Sequence, residues 1–184
     1  MIDLSVQFDK NKFDKIITKA FLFGKDINRA INRAAKRAAD SGKAETRRQM
    51  SREYTLPSKE IGKTIEARML DMGAEMRITS GIQDILAFKG VKRTVVDTGV
   101  TVEIKKGNRH LVGNAFIGVL NKKQKRIGLY QRDNERRNVL RRYHGPSTVG
   151  MFKANEKVHN AALLKAMETL DQRMTHELGR LLNV

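Results

Sequence analysis

The feature that most constrains the fold is a change in the spacing of apolar residues along the chain. Near both ends, apolar residues recur every three or four positions, which is the period of an amphipathic α-helix. Between Gly73 and Gln131 they alternate with polar residues, which is the period of a half-buried β-strand. We therefore predict an α+β fold in which long N- and C-terminal helices pack with a small antiparallel sheet.

The N-terminal helical pattern extends from about Lys10 to Arg52, and Ser41-Gly42 is expected to kink or split it because glycine weakens a helix interior. Leu56-Pro57-Ser58 predicts the end of this helix, since proline lacks the amide donor. A short second helix is expected from Ser58 to about Leu70. The apolar stripe of the first helix is Ala20, Ile27, Ile31, Ala34 and Ala38, and its opposite face carries Arg29, Arg33, Lys36, Lys43 and Arg47.

The alternating region predicts about four strands. The pattern places them at Met76 to Ile78, Val100 to Ile104, Leu111 to Leu120 and Arg126 to Gln131. Residues 132–150 are polar and basic and predict an extended loop. The C-terminal helix that follows is expected to cover the sheet or pair with the first helix, through a stripe of Leu163, Met167, Leu170, Met174, Leu178 and Leu181.

These patterns predict a single domain of 184 residues in four parts. Residues 1–70 form the helical N-terminal part, 71–131 the antiparallel strands, 132–150 the basic extended loop and 151–184 the C-terminal helix.

Several classes of site and protein are not supported by the composition. The chain has no cysteine, and its longest uncharged run, which contains Leu111 to Leu120, is far shorter than the roughly 20 residues that span a bilayer. The four histidines are scattered without a zinc-binding spacing, and no Ser-His-Asp set or two-metal cluster stands out. We expect a soluble protein that is not an enzyme, has no metal or cofactor and does not contact a membrane.

The positive charge is concentrated rather than spread. The chain has 37 Lys and Arg against 20 Asp and Glu, a formal charge of +17, and residues 105–144 alone carry twelve basic and two acidic residues. A polyanion is the partner that such a segment favours, although a solubilising surface and docking to an acidic protein remain alternatives. Few aromatic residues accompany the charges, so any nucleic-acid contact should be to phosphates. The candidate DNA-facing residues are Lys105, Lys106, Arg109, Lys122, Lys123, Lys125, Arg126, Arg136, Arg137, Arg141 and Arg142.

The order of several short segments resembles the minor tail protein Z family of long-tailed phages and prophages. Ala30 to Ala35 (AINRAA) lies in the basic helix, and Asn114 to Ile117 (NAFI) lies in a strand. Tyr130 to Arg132 (YQR) and Arg136-Arg137 follow, and Gly145 to Phe152 introduces the last helix. The match covers about residues 27 to 180 in order. One departure is Asn138-Val139-Leu140, where the family often has a proline.

The resemblance implies a non-enzymatic virion protein at the head-proximal end of the tail or in the neck, present in the host cytoplasm during assembly. It implies a head-tail joining fold that assembles as a homo-oligomer, near a hexameric ring, through which viral double-stranded DNA passes. The implied protein partners are the tail terminator or tail-tube protein and the head-tail connector proteins. Candidate inter-subunit residues are Asn114, Phe116, Ile117, Pro146, Met151 and Phe152. The alternative is a sequence-independent nucleic-acid-binding protein that acts free of the virion.

Overall fold

The computed structural model describes residues 2–5, 25–70, 73–93, 99–119, 127–132 and 139–181. Within these residues the chain has four helices, ten strands and a 3-10 turn, so the predicted α+β class is confirmed. The helices are α1 (Lys25–Glu53), α2 (Ser58–Lys63), α3 (Thr148–Lys153) and α4 (Glu156–Leu181), and the 3-10 turn is Ile85–Ala87. The strands are β1 (Ile2–Ser5), β2 (Ile65–Leu70), β3 (Gly73–Ile78), β4 (Gln83–Asp84), β5 (Lys92–Arg93), β6 (Gly99–Glu103), β7 (Arg109–Gly113), β8 (Ala115–Val119), β9 (Ile127–Arg132) and β10 (Leu140–Gly145).

The strands form three antiparallel sheets with the orders β1-β3-β2, β5-β6-β7 and β4-β10-β9-β8. The predicted strand segments are extended where the structure describes them, but they are distributed over all three sheets instead of one meander. The segment Leu111 to Leu120 divides into β7 and β8 at Gly113-Asn114, and Leu120 lies outside the described residues. Asn114 has a φ of 55°, a left-handed conformation that turns the chain from one sheet into the next.

The predicted second helix is wrong in its second half. Helix α2 ends at Lys63, and Ile65–Leu70 is a strand that pairs with β3 from Ile65 opposite Ile78 to Leu70 opposite Gly73. The four-residue spacing of Ile61 and Ile65 suits a helix, but the same two side chains are buried by a helical turn followed by a strand. Cross-strand pairing with β3 therefore overrides the local helical pattern.

The predicted extended loop at 132–150 is also wrong where the structure describes it. Leu140–Gly145 forms β10, which pairs with β9 on one side and with β4 on the other. Helix α3 begins at Thr148, inside the same segment, and the Ser147 hydroxyl caps it by accepting a hydrogen bond from the Gly150 amide at 3.0 Å. The exposed side chains of this strand made the segment look like a loop, although the pairing of its backbone makes it part of a sheet.

Helices α1 and α4 pack as an antiparallel pair. The Ser41 hydroxyl accepts a hydrogen bond from the Thr169 hydroxyl at 2.9 Å, and Arg33 lies 3.5 Å from the Glu177 carboxylate further along the pair. The prediction that the C-terminal helix pairs with the first helix or covers the sheet is thereby resolved in favour of the helix pair. Residues 10–24 of the predicted first helix, including Ala20, lie outside the described residues.

The Ser41-Gly42 step does not interrupt α1, so the expected break is wrong. A Cβ atom added at Gly42 would lie 3.3 Å from the Ala166 Cβ, which means that the glycine lets α4 approach closely. The predicted C-terminal stripe holds at Leu170, Met174 and Leu178, which are buried against the first helix. Near Gly42 the buried positions are Ala162 and Ala166 instead, and Met167 is 49 % exposed.

The main core lies beyond this helix pair, around the C-terminal end of α1. It contains residues of all four helices, of β2 and β3, and of the loops that follow α1 and the 3-10 turn. These residues are Met50, Tyr54, Leu56, Ile61, Ile65, Met76, Ile78, Phe88, Met151, Phe152 and Val158. A second cluster joins the other two sheets through Ile85, Val100, Val102, Ala115 and Leu129. These two clusters position the basic strands described next.

Candidate nucleic-acid and subunit interfaces

The basic turn between β6 and β7 is attached to the C-terminal end of α1. Lys106 donates from its Nζ to the Ser51 carbonyl and from its backbone amide to the Glu53 carbonyl, both at 2.8 Å. The Lys105 ammonium lies 3.9 Å from the Glu53 carboxylate. The last carbonyls of a helix lack intrahelical donors and carry the negative end of its dipole, so these two lysines stabilise the helix end. Both residues are exposed, and both have a structural role that the sequence pattern did not reveal.

Arg109, the third basic residue of this turn, is paired with Glu103. Its Nη2 lies 3.2 Å from the Glu103 carboxylate, which also accepts a hydrogen bond from the Gly107 amide at 2.9 Å. These interactions, the Gly107 amide first and Arg109 second, lower the pKa of Glu103 below its usual value. The Glu103 carboxylate therefore offsets part of the positive charge of Lys105, Lys106 and Arg109, the predicted DNA-facing residues of this turn.

The two arginines of β10 differ in their surroundings. The Arg142 guanidinium lies 3.7 Å from the Asp84 carboxylate of the neighbouring strand β4. Arg141 is exposed and forms no ion pair or hydrogen bond with the part of the chain that the structure describes. Because successive side chains of a strand point to opposite faces, these two charges are presented on different sides of the sheet.

The remaining predicted DNA-facing residues lie outside the described residues. They are Lys122, Lys123, Lys125, Arg126, Arg136 and Arg137. In the sequence, the first four precede β9 and the last two follow it.

Arg132 is a basic surface residue that the predicted set omitted. Its guanidinium lies 5.4 Å from the centroid of the Phe116 ring, which is itself 6.0 Å from the Tyr130 ring. Alternation along β9 places Arg132 on the same face as Tyr130. The sequence pattern could therefore have identified Arg132 as a basic residue next to aromatic rings. Tyr130 is buried, and the partly buried Tyr143 packs against the second apolar cluster, with its hydroxyl 2.6 Å from the Gln131 side chain. Neither tyrosine therefore presents a fully exposed ring for base stacking.

The candidate inter-subunit residues of β8 lie at the surface. Asn114 is exposed, Phe116 is partly covered by Arg132, and Ile117 is 38 % exposed. Pro146 is half-buried just after β10. These positions are compatible with contact to a neighbouring molecule.

The prediction that Met151 and Phe152 contact a neighbouring subunit disagrees with their burial. They are only 2 % and 3 % exposed and lie inside the main core of their own chain. The Met151 carbonyl accepts a hydrogen bond from the Tyr54 hydroxyl at 3.1 Å, and the Phe152 ring packs edge-on against His159 with centroids 5.6 Å apart. Their side chains belong to the folded subunit and offer almost no area to a neighbour.

Strands β8 and β9 present an apolar surface that includes Ile117, a candidate inter-subunit residue, and two residues outside the predicted set. Ile117, Val119 and Ile127 are 38 %, 46 % and 54 % exposed. Val119 pairs directly with Ile127, and Ile117 is two residues along the same face. We call these three residues the β8-β9 apolar face. In the described sheet, β8 is an edge strand whose one neighbour is β9.

Within the described ranges, no group of three or more His, Asp and Glu side chains is arranged to hold a metal ion. The helices of the same residues include none with the length and apolar character needed to cross a membrane.

Comparison with known proteins adds no relative to this description. No protein-family model, curated protein or solved structure matches the chain.

Proposed function

We propose that the chain is a structural subunit of a long-tailed phage virion, a tail-completion or head-tail joining protein at the head-proximal end of the tail. In this proposal several copies, near six, form a ring around the path of the viral DNA. The observation that carries it is the β8-β9 apolar face, part of which lies on the edge strand of the described four-stranded sheet. The resemblance in the order of sequence motifs supports the same assignment.

The β8-β9 apolar face favours association between copies. Ile117, Val119 and Ile127 lie side by side, and covering apolar surface is favourable by about 25 cal/mol per Å². In the described sheet, the outer edge of β8 offers backbone donors and acceptors to a neighbouring strand. An edge on one side of a subunit that meets a different surface on the next makes a head-to-tail contact, and such contacts form a ring when the rotation between copies closes.

The basic residues suit a surface that DNA passes without being held. Arg141 and Arg132 are exposed, and the segments before and after β9 add six more basic residues in the sequence. Phosphate contacts made by such side chains are independent of sequence and weakened by salt. A DNA path requires contacts of this kind, because base-specific contacts would retain the DNA at particular sites.

The first experiment tests the subunit contact. We expect native mass spectrometry of concentrated protein, and mass measurement of assembled tails, to give an oligomer near six. The double variant Ile117→Ser/Val119→Thr should shift the protein to monomer while its melting temperature stays within a few degrees. Leu164→Ser, at an exposed apolar position on α4, is the control and should leave the oligomer intact. One or two copies per tail would contradict the proposal.

The second experiment tests contact with DNA. Replacing Lys122, Lys123, Lys125 and Arg126 by Gln should leave tail assembly intact and lower DNA delivery, because those four charges would no longer meet phosphate. The matched control removes four exposed lysines elsewhere, at Lys59, Lys89, Lys153 and Lys157. Equal delivery by the two variants would mean that the segment before β9 has no particular role.

The second candidate function is a nucleic-acid-binding protein that acts outside the virion. Arg141 favours it, because it is exposed and has no ion pair among the described residues, and such a charge can bind phosphate without assembly. This candidate predicts that the isolated monomer binds duplex DNA at moderate salt with a steep salt dependence. A ring subunit is expected to bind weakly as a monomer and more strongly once assembled, so a salt-titrated assay on both forms separates the two.

A further inference from the structure

A basic groove lies between the two long helices, away from the sheets. Its volume is about 500 Å³, and its floor includes Ala34, which is fully buried. The side chains along its rims are Arg33, Lys36, Arg37 and Asp40 from α1, and Arg173 and Glu177 from α4. We call this feature the α1-α4 groove.

The groove has more positive charge than its own carboxylates neutralise. Arg33 is 3.5 Å from Glu177, whose side chain is only 14 % exposed, so these two charges are paired. Lys36, Arg37 and Arg173 are exposed and form no ion pair or hydrogen bond with the described part of the chain. Asp40 is the remaining carboxylate, which leaves the groove with two net positive charges.

Most of the charges of the groove lie on one stretch of α1. Arg33 precedes Lys36 by three residues and Arg37 by four, and Asp40 follows the same two cations at spacings of four and three. Asp40 therefore offsets part of their charge, because opposite charges at these spacings are favourable in a helix. A bound anion would meet the positive charge that remains.

We propose that the α1-α4 groove binds the phosphate backbone of nucleic acid. Guanidinium groups match phosphate oxygens with two parallel hydrogen bonds, and two of the three unpaired cations are arginines. From Arg33 to Asp40 the rim of α1 is about 10 Å long at 1.5 Å per residue. That length corresponds to the axial rise of about three nucleotides of one duplex strand, at 3.4 Å each. The inference rests on the proposed function in taking DNA as ligand, and it adds a second contact that does not involve the segment 105–144.

The experiment uses the full chain and a fluorescently labelled 20-base-pair duplex. Anisotropy titrations from 50 to 200 mM salt give the slope of log K against log salt for each protein. The groove variant is Lys36→Gln/Arg37→Gln/Arg173→Gln. Its matched control removes the same charge far from the groove, through Lys59→Gln/Lys153→Gln/Lys157→Gln.

Loss of three phosphate contacts should make the salt slope of the groove variant about 2.7 less steep than that of the wild type. The control should keep the wild-type slope, because charges more than a Debye length of about 10 Å from the DNA are screened. Circular dichroism should give the groove variant the helix content of the wild type and a melting temperature within a few degrees of it, because all three replaced side chains are exposed. A groove variant with the slope of the control would overturn the inference.

Two additional arms separate this inference from the proposed function and from another class of ligand. If a Lys122→Gln/Lys123→Gln/Lys125→Gln variant loses slope and the groove variant does not, the groove inference fails while the proposed function stands. The opposite result supports the groove and contradicts the role of the segment before β9. Competition by poly-glutamate as strong as that by an equal charge of unlabelled DNA would mean that the groove binds carboxylates of acidic proteins, which contradicts the assignment to phosphate.

Discussion

The contact between Gly145 and Phe88 holds the basic strand β10 against the main core, and a single methyl group tests it. Gly145 is the last residue of β10, and Phe88 is 1 % exposed, just after the 3-10 turn. A Cβ atom added at Gly145 would lie 3.1 Å from both Cδ2 and Cζ of the Phe88 ring, and closer still to its Cε2. Carbon atoms pack best at about 3.5 to 4.0 Å, so Gly145→Ala requires the ring or the strand to move.

Two opposing effects determine how Gly145→Ala changes the free energy of unfolding. Overpacking a well-packed core destabilises by about 1 to 3 kcal/mol, and the ring has no open space to enter because it is almost fully buried. Replacing glycine by alanine also restricts the unfolded chain, which stabilises by about 0.4 to 1 kcal/mol where the backbone accepts the change. We therefore expect Gly145→Ala to lower the free energy of unfolding by roughly 1 to 2 kcal/mol.

Urea unfolding followed by circular dichroism measures this difference. Gly81→Ala is the control, because an added Cβ there has no atom within 4 Å, and its stability should be unchanged or slightly higher. In a Phe88→Leu background the smaller side chain leaves room, so the Gly145→Ala penalty should shrink towards zero. A Gly145→Ala protein as stable as Gly81→Ala, or a penalty that is the same in both backgrounds, would refute the packing of β10 on Phe88.

Two other predictions concern the surface turn and the corrected interface residues. The pKa of Glu103 is lowered in the folded protein, so its contribution to stability is present above its usual value near 4.5 and is lost as the pH falls through the lower folded value. Glu103→Gln should therefore flatten the acid limb of a plot of melting temperature against pH, and a limb parallel to that of the wild type would contradict the pairing with Arg109 and Gly107. Met151→Ala should lower the free energy of unfolding by about 2 to 5 kcal/mol in monomer and oligomer alike, because the side chain fills the core of its own chain. A variant that unfolds like the wild type but no longer forms oligomers would restore Met151 to the subunit contact.

Local patterns predicted the parts of this fold that depend on one element at a time. The stripe of α1 from Ile27 to Ala38 and the stripe of α4 from Leu170 to Leu178 are buried against each other, as their helical periods indicate. The strand character of Val100 and Val102 also follows from alternation and is confirmed by their burial in β6. In each case the residues that define the face are only a few positions apart in the sequence.

The predictions that failed concern contacts between distant segments. Ile65–Leu70 is a strand because it pairs with β3, and Leu140–Gly145 is a strand because it pairs with β9 and β4. Neither partner can be recognised from the composition of the segment itself. Ser41-Gly42 does not break α1 because α4 packs closely at that point, and this reason lies more than 120 residues away in the sequence.

For the candidate site, too, some properties follow from the sequence and others depend on contacts between distant segments. The sequence by itself determined the number of basic residues in 105–144 and the scarcity of aromatic residues among them, since composition requires no knowledge of the fold. Only the tertiary structure decided that Lys106 completes the end of α1, that Arg109 is paired with Glu103 and that Arg132 covers Phe116. It also decided that Arg37 and Arg173, 136 positions apart, line one groove. Charge is a property of the residue, whereas its availability to a ligand depends on neighbours that folding brings together from distant parts of the chain.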